Sequence, residues 1–311
     1  MWISTVPDRI YIAPMSASAS IALVGCGRWG KHILRDLVGL GCEVTVVARS
    51  EASVARAREG KAATIVDSVD RLTAPDGVVV AVPTALHAAV LGQVLNLGVP
   101  VFVEKPITND PSTARQFERR KDLFVMDKWR YHPGVELLRE IVQDARYGAL
   151  RGIQTVRHGL YNSHLDTDAI WILLPHDLSI ILELTGGIPE PLAALGEVEG
   201  IEASLTGLLE NGIVIDVSSR SNVYRRELRV RFDSAVVTLA GGYAEVLDVR
   251  ITSQGREPES ISIPIGLQMP LEAELVAFID HLRGGPPPRS SAAEAVLIVE
   301  RVQQLRDLAG I

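Results

Sequence analysis

The chain has 311 residues, of which 47% are hydrophobic and 22% are charged, and these values exclude a disordered, collagen-like or coiled-coil protein. Its 31 Lys and Arg against 38 Asp and Glu give a formal net charge of −7, which argues against a nucleic-acid partner. The length predicts two domains.

The same composition bears on location and on metals. No apolar run approaches the roughly 18 residues that a membrane span needs, and the N-terminal segment lacks the basic region of a secretory signal. We therefore expect a cytoplasmic protein without a membrane partner. Cys26 and Cys42 lie beside apolar strand residues and are predicted to be buried thiols. No spacing of His, Cys and carboxylates predicts a metal site.

The first half of the chain alternates strands and helices. Residues 1–20 lack periodicity and are predicted to form a tail or one added strand. From residue 21 onward, short continuous apolar strands alternate with amphipathic helices, a pattern typical of a parallel sheet buried on both faces. The predicted strands cover residues 21–24, 44–47, 63–66, 78–82, 99–103 and 123–126. We therefore predict a doubly wound Rossmann domain over residues 21–127.

The pattern changes in the second half, which we assign to another domain over residues 128–311. From residue 152 onward polar and apolar residues alternate along the strands, as Leu228, Val230 and Phe232 illustrate. Such strands have one solvated face. Two late helices, around residues 271–282 and 298–305, can return to the first domain or cover a sheet edge.

A glycine-rich turn follows the first predicted strand. Gly25, Gly27 and Gly30 form the pattern G-x-G-x-x-G between that strand and the next helix. Glycines at this spacing allow a tight turn and let a pyrophosphate approach the positive end of the helix. The pattern therefore predicts a dinucleotide site, whereas the alternative is that the glycines serve close packing alone.

The end of the second predicted strand bears on cofactor choice. An NAD site usually has Asp or Glu here, bound to the ribose 2′-hydroxyl, whereas this strand ends in Ala48, Arg49 and Ser50. A guanidinium with a neighbouring hydroxyl can pair with a 2′-phosphate. We therefore predict NADP(H) in preference to NAD(H), unless Arg49 is an ordinary solvated residue.

A lysine at the end of another strand is the first catalytic candidate. The strand over residues 99–103 runs into Glu104, Lys105 and Pro106. The carboxyl ends of parallel strands are where such sheets bind ligands. Lys105 can supply a positive charge or a proton to a reacting hydroxyl, although the triplet is also compatible with a surface turn.

The motifs GCGRWG, VPTALH, VEKP, RYHP and PHD occur in this order, and the chain thereby resembles the Gfo/Idh/MocA oxidoreductase family. That family includes glucose-fructose oxidoreductase, inositol dehydrogenases, and sugar-nucleotide dehydrogenases and ketoreductases. GCGRWGK and WILLPHDLSIIL are most similar to the sugar-nucleotide branch. The resemblance implies a C-terminal α+β domain with an open, mostly antiparallel sheet whose broad face builds a homodimer or homotetramer. It also allows a cis Lys105–Pro106 bond.

The resemblance extends the expected cofactor contacts along these motifs. The predicted cofactor-binding residues are Gly25, Gly27, Arg28, Trp29, Gly30, Arg49, Ser50, Pro83, Thr84, His87, Glu104, Lys105 and Arg130. His87 has an alternative role as a simple cap at a helix start.

The resemblance also implies a catalytic histidine, and it exposes a departure. Family members commonly place an Asp and a His, four residues apart, beside the lysine. His176 fits the histidine, which would exchange a proton with the substrate, but the expected Asp is Ile172. An isoleucine cannot orient an imidazole or raise its pKa. Alternatively, His176 is a helix-start residue bonded to nearby backbone.

Neighbouring residues offer substitutes for the missing carboxylate. Pro175 is tolerated in the first turn of a helix, so we expect Asp168 in the preceding loop, either exposed or folded back towards His176. Tyr161 is the second choice as proton donor. His158 and His164 are expected near the same mouth.

These residues predict an enzyme that transfers a hydride between NAD(P) and a secondary alcohol or ketone of a sugar, cyclitol or sugar nucleotide, with Lys105 and His176 as catalytic residues. An imine reductase on the same scaffold is an alternative, because a protonated substrate makes the missing Asp less important. A noncatalytic sensor that binds dinucleotide and ligand is a further alternative, which Ile172 favours.

Overall fold

The computed structural model of the chain describes residues 18–160, 162, 164–252 and 257–311. Its first part is a six-stranded sheet in which every pairing is parallel and the strand order is β3-β2-β1-β4-β5-β6. The elements are β1 (Ser20–Val24), α1 (Gly30–Gly39), β2 (Glu43–Val47), α2 (Glu51–Glu59), β3 (Thr64–Val66), β4 (Gly77–Val80), α3 (His87–Val94), β5 (Val101–Glu104), α4 (Pro111–Arg115) and β6 (Leu123–Met126).

This sheet is the predicted doubly wound Rossmann sheet. Its central strands are buried on both faces, since all four residues of β4 and four of the five in β1 are buried. Ser20 lies in β1, so the predicted tail ends earlier than expected, and residues 1–17 lie outside the described part of the chain. Strand order reverses between β1 and β4, which opens a crevice at the carboxyl ends of these strands.

The second part is an eight-stranded sheet in the order β14-β13-β12-β11-β7-β10-β9-β8. Its pairings are antiparallel except that of β10 with β7, which confirms the expected open, mostly antiparallel sheet. The elements are α5 (Pro133–Gln143), β7 (Leu150–Leu160), α6 (Ala169–Thr185), β8 (Pro191–Glu199), β9 (Glu202–Leu209), β10 (Ile213–Ser218), β11 (Arg220–Phe232), β12 (Ala235–Leu239), β13 (Val246–Ile251), β14 (Glu259–Pro264), α7 (Pro270–Leu282) and α8 (Ala292–Ala309).

The apolar face of this sheet is covered by helices. Leu228, Val230 and Phe232 are buried as the alternation predicted. Helix α6 packs against β9 and β10, and α8 packs against α6 and β8. The two sheets have adjoining cores, and the boundary at residues 127 and 128 stays a prediction.

Helix α6 differs from the sequence expectation. It begins at Ala169, with Asp168 as its N-cap, so Pro175 lies in the helix interior and His176 is not at the helix start. A proline there removes one backbone hydrogen bond and normally disfavours a helix. Burial outweighs this cost, because most residues of the helix are apolar and packed on all sides. Within the described part of the chain, no helix combines the length and apolarity needed to cross a membrane.

Helix α7 returns to the first domain, as one of the sequence alternatives proposed. Its buried residues Leu271, Leu275 and Phe278 belong to the same apolar cluster as α1 and the first sheet. The ring of Phe278 stacks on that of Phe102 in β5, with centroids 5.0 Å apart. The C-terminal segment therefore fixes the first sheet relative to the second.

We expect Phe278→Ala to lower the free energy of unfolding by about 3 to 5 kcal/mol, because the substitution opens a cavity in this cluster. Leu267→Ala is the control, since Leu267 is 81% exposed. Urea denaturation followed by fluorescence measures both. Equal effects of the two substitutions would show that α7 does not depend on this contact.

Candidate active site

The crevice at the carboxyl ends of β1, β4 and β5 contains the glycine loop between β1 and α1. Gly25 has a φ of 98° and lies so close to the next strand that a Cβ would meet the Ala81 carbonyl oxygen at 2.6 Å. A Cβ at Gly30 would run into the Gly25 carbonyl oxygen, whereas one at Gly27 would face open space. Two glycines therefore permit the turn, and the third leaves the loop open to a ligand.

This loop fits a dinucleotide. Helix α1 begins at Gly30 without a side-chain cap and without an acidic residue in its first turn. The positive end of the helix is thus available to a pyrophosphate. Arg28 and Trp29 lie exposed on the same loop.

The predicted ribose-binding residues lie at the end of β2. Arg49 is exposed, and its Nε donates to the Asp67 carbonyl oxygen at 3.3 Å. Ser50 caps α2, where its Oγ accepts from the Ser53 backbone N–H at 3.2 Å. The guanidinium is therefore placed beside the start of α2, where a 2′-phosphate would lie in this fold.

The turn after β5 holds Lys105, the predicted catalytic lysine. The Lys105–Pro106 bond is cis, as the resemblance allowed. The buried His87 imidazole lies across this turn, with Nδ1 2.8 Å from the Pro106 carbonyl oxygen and Nε2 3.0 Å from that of Val82. His87 thus joins the ends of β4 and β5, which is a structural role, and its predicted contact with cofactor stays untested.

Glu104 links the glycine loop to the turn that contains Lys105. One carboxylate oxygen accepts a hydrogen bond from the Trp29 indole, and the other accepts from the Lys105 backbone N–H at 3.2 Å. The Lys128 ammonium lies 4.3 Å from the Trp29 ring centroid. Burial raises the pKa of Glu104 and lowers the pKa of Lys128, while their opposite charges act against both shifts. Glu104 therefore positions Trp29 and the lysine turn.

A cavity of about 220 Å³ brings together several predicted residues. It is lined by Thr84 and Glu104 of the first domain and by Ile172 and His176 of α6, with Lys105 between them. The Lys105 Nζ donates to the Ile172 carbonyl oxygen at 2.9 Å. Burial lowers the pKa of Lys105 to about 8. Lys105 can therefore gain or lose a proton near neutral pH.

His176 lines this cavity in a neutral form. Burial, followed by the positive charges of Lys105, Arg157 and Lys128, lowers the pKa of His176 well below its usual range. Its Nδ1 is buried and has no hydrogen-bond partner among the described residues. Ile172, one turn earlier, offers no carboxylate to bind that nitrogen. The imidazole can therefore accept a proton, but a carboxylate does not orient it.

Asp168 does not replace the missing carboxylate. Its Oδ1 accepts from the Ile170 backbone N–H at 3.0 Å, and its Oδ2 pairs with Arg306 at 3.0 Å. Both sequence alternatives, an exposed Asp168 and one folded back towards His176, are therefore wrong, because capping α6 and pairing with α8 occupy both oxygens.

The structure also places two further predicted residues. Arg130 is buried, with its Nε 2.7 Å from Glu183 and its Nη1 3.0 Å from Glu294, so it joins α6 and α8, and its predicted contact with cofactor stays untested. His158 lies on the opposite face of β7 from Arg157, with its Nε2 3.0 Å from Asp216, and it does not face the crevice.

The remaining candidates near this cavity are His164, Tyr161 and Pro83. His164 lines the same small cavity as Lys105, as expected, and burial lowers its pKa to about 4. Tyr161, the second choice as proton donor, lies outside the described residues. Pro83 precedes a short 3-10 helix over Thr84–Leu86 at the edge of the cavity.

A second cavity of about 500 Å³ adjoins the first, and Trp29, Lys128, Ile172 and His176 line both. Sequence reasoning missed the cations of this cavity. Lys128 could have been found, because it follows β6 at the carboxyl edge of the sheet. Arg157 and Arg226 lie on different strands and face each other only through the β7–β11 register, which has no local signal in the sequence.

Across the described residues, no group of three or more His, Cys, Asp or Glu is arranged to hold a metal ion.

A six-stranded parallel sheet in this order, with a glycine loop at its switch point, defines the class of dinucleotide-binding Rossmann proteins. The Gfo/Idh/MocA family, described as an oxidoreductase family with an NAD-binding Rossmann fold, matches residues 19–125. This match over residues 19–125 confirms the resemblance in the sequence motifs.

Two relatives of known activity are similar in sequence. UDP-N-acetylglucosamine 3-dehydrogenase of Acidithiobacillus ferrooxidans is 33% identical over 173 residues, which cover 52% of this chain and 54% of that protein. Inositol 2-dehydrogenase of Corynebacterium glutamicum is 27% identical over 236 residues, which cover 67% of this chain and 69% of that protein. The match thus spans about half the length of the first relative and about two thirds of the second.

Solved structures show the same fold over nearly the whole chain. The Acidithiobacillus ferrooxidans UDP-N-acetylglucosamine 3-dehydrogenase superposes with a TM-score of 0.79 at 22% identity, covering 94% of this chain and 98% of that chain. Levoglucosan dehydrogenase in complex with NADH and levoglucosan has a TM-score of 0.81 at 14% identity, covering 94% and 98%. Both domains therefore have the fold of these structures.

The departure at residue 172 can be tested by restoring the carboxylate. We expect Ile172→Asp to raise the pKa of His176 by about 1 to 3, because it places a negative charge within one helical turn of the imidazole. Ile172→Asn is the matched control, since asparagine has the shape of aspartate without its charge. A pH titration of the His176 ring signals by NMR measures both. Identical titration of the two variants would show that residue 172 does not face the imidazole.

Proposed function

We propose that the chain is an NAD(P)-dependent oxidoreductase that transfers a hydride between the nicotinamide and a secondary alcohol or ketone of a sugar, cyclitol or sugar nucleotide. The observation that carries the proposal is the small cavity beside the glycine loop, lined by both the Lys105 ammonium and the His176 imidazole. The activities of the relatives named above support the substrate class.

A bound nicotinamide cofactor supplies or accepts the hydride. Lys105, held by the Ile172 carbonyl oxygen, places a positive charge where the substrate oxygen gains or loses its proton. His176, neutral at physiological pH, accepts the hydroxyl proton when the alcohol is oxidised and returns it when the ketone is reduced. Glu104 and Trp29, joined by a hydrogen bond, line the cavity beside the lysine.

This proposal assigns the proton transfer to His176 without a carboxylate partner. We expect His176→Ala to slow single-turnover hydride transfer by at least about 100-fold and to leave cofactor affinity unchanged, since general acid–base catalysis is worth about 100- to 10,000-fold. The matched control is His158→Ala, because that imidazole faces Asp216 on the other side of the sheet.

The substrate for this measurement comes from a panel of keto-sugars, sugar nucleotides, cyclitols and cyclic imines incubated with the protein and NADPH or NADP⁺. If Tyr161→Phe abolishes transfer while His176→Ala stays within about threefold, Tyr161 is the proton donor, since loss of that group costs at least about 100-fold. His164→Ala is measured in the same way, because His164 lines the same cavity and is a further candidate for the proton transfer.

We also propose that NADP(H) is the preferred cofactor. Arg49 is exposed at the end of β2, and no carboxylate occupies positions 48–50, where it would repel a 2′-phosphate. The NADH complex of levoglucosan dehydrogenase concerns a chain only 14% identical, so it does not decide the cofactor of this protein.

We expect NADPH to bind more tightly than NADH by about 1 to 3 kcal/mol, the scale of hydrogen bonds to charged groups. Arg49→Ala should weaken NADPH selectively, whereas Arg58→Ala, which removes an exposed arginine of α2, should not. Calorimetric titration of both cofactors measures this preference. Equal affinities in the wild type would reject the assignment.

A noncatalytic sensor is the second candidate, and one observation favours it. The buried His176 Nδ1 has no partner in the described part of the chain, and Asp168 is engaged elsewhere. A protein that binds NADPH but transfers no hydride to any member of the panel would be such a sensor. Turnover of cyclic imines alone would instead favour the imine reductase.

The homodimer or homotetramer stays a prediction with some support in the second sheet. Leu195 of β8 and Leu208 of β9 are exposed on the same face, although both are large apolar residues. An open sheet face with such residues is typical of a surface that a second copy covers.

A further inference from the structure

The larger cavity is positively charged, although the chain as a whole has a net charge of −7. Its lining includes the cations Arg35, Lys128, Arg157 and Arg226 and a single carboxylate, Asp36. Arg35 is paired with that carboxylate at 2.7 Å. The lining cations that remain are Arg157 and Arg226, on a wall formed by the second sheet, and Lys128 after β6.

Arg157 and Arg226 form that wall. They lie directly opposite each other in the register of β7 with β11, so two guanidinium groups share one face of the sheet. Asp177 of α6 binds Arg157 through two bonds, from Nε at 2.9 Å and from Nη2 at 3.0 Å. Asp177 is itself buried, and both of these bonds go to Arg157.

Arg226 is the cation with the weakest internal compensation. Its Nη1 donates to the backbone carbonyl oxygens of His158 and Arg225, and its guanidinium lies 4.5 Å from the Tyr224 ring centroid. It forms no ion pair with a carboxylate among the described residues. Burial and the charge of Arg157 lower the pKa of Arg226. A partly buried cation of this kind is stabilised when an anion neutralises it.

We infer that Arg226, with Arg157 and Lys128, forms a subsite for an anionic group of the substrate, either a phosphate ester or a carboxylate. This inference rests on the proposed function and narrows its substrate class, since it excludes neutral cyclitols and unsubstituted sugars as the preferred substrates. Planar guanidinium groups suit both anions, because they offer paired N–H donors.

The position of the subsite assigns the anion to the substrate and not to the cofactor. The cofactor phosphates belong at the glycine loop, whereas Arg157 and Arg226 belong to the second sheet. His176 and Ile172 line both cavities, and the two arginines line the larger one together with them. A volume of about 500 Å³ accommodates a sugar with such a substituent.

The test compares three glycosides that share one pyranose ring: methyl α-D-glucoside, methyl α-D-glucuronide and α-D-glucose 1-phosphate. Each is titrated by calorimetry into the full chain saturated with NADPH. We expect at least one charged compound to bind about tenfold or more tightly than the neutral glycoside, and Arg226→Gln to abolish the difference. The charged compound that binds more tightly identifies the preferred anion as phosphate or carboxylate.

Arg225→Gln is the matched control, because Arg225 is the adjacent residue of β11 and points to the opposite face, where it pairs with Glu227 at 2.9 Å. It should leave all three affinities unchanged. Equal binding of the three glycosides, tighter binding of the neutral one, or the same loss in Arg225→Gln as in Arg226→Gln would overturn the inference.

Two measurements keep the outcome independent of folding and of catalysis. If Arg226→Gln does not fold, raising NaCl from 0.05 to 0.5 M in the wild type should weaken the charged compounds and spare the neutral one, because salt screens ionic contacts. No change with salt would count against the subsite. The NADPH titration itself tests the proposed function, so loss of cofactor binding is distinguished from loss of the anion preference.

Discussion

Helix α6 is held beside the first sheet by a buried ion-pair network, and the placement of Ile172, His176 and Asp177 depends on it. Glu183, near the end of the helix, accepts from Arg130 at 2.7 Å and from Arg139 at 3.0 Å. A buried ionised carboxylate is costly unless it is paired, so this contact leaves α6 little freedom to shift. Arg130 follows β6 and also pairs with α8, so the network fixes both domains around the crevice.

Burial in the protein interior also shifts the pKa values of the ionisable groups around the crevice. Burial lowers the pKa of Lys105 to about 8 and raises the pKa of Asp127 to about 7. It also raises the pKa of Glu274, whose carboxyl oxygens have no hydrogen-bond partner in the described residues. Such groups are costly in a core and concentrate at functional sites. Protonation can therefore change here near neutral pH.

Isoleucine at position 172 preserves the contact of α6 with Lys105 but provides no carboxylate for His176. The contact with Lys105 uses the backbone carbonyl oxygen of residue 172, which any side chain there would leave in place. The contact with the imidazole would need a carboxylate, and none of the described residues places one at the His176 Nδ1. The lysine therefore keeps its anchor while His176 loses an orienting group. A modified catalyst and a sensor are both consistent with this arrangement, and the arginine wall of the larger cavity serves a ligand in either case.

The sequence by itself determined the alternating β/α order, the glycine loop, the lysine turn and the one-sided strands of the second domain, because each depends on local periodicity or on residues adjacent in the chain. It misjudged Pro175, since burial of α6 outweighs a local helix-breaking preference. It could not show that Arg130, which the resemblance placed among the cofactor contacts, pairs with Glu183 and Glu294, because these partners are distant in sequence. Only the tertiary structure decided that Arg157 and Arg226 face each other, because strand register follows from the packing of the whole sheet and not from either strand alone.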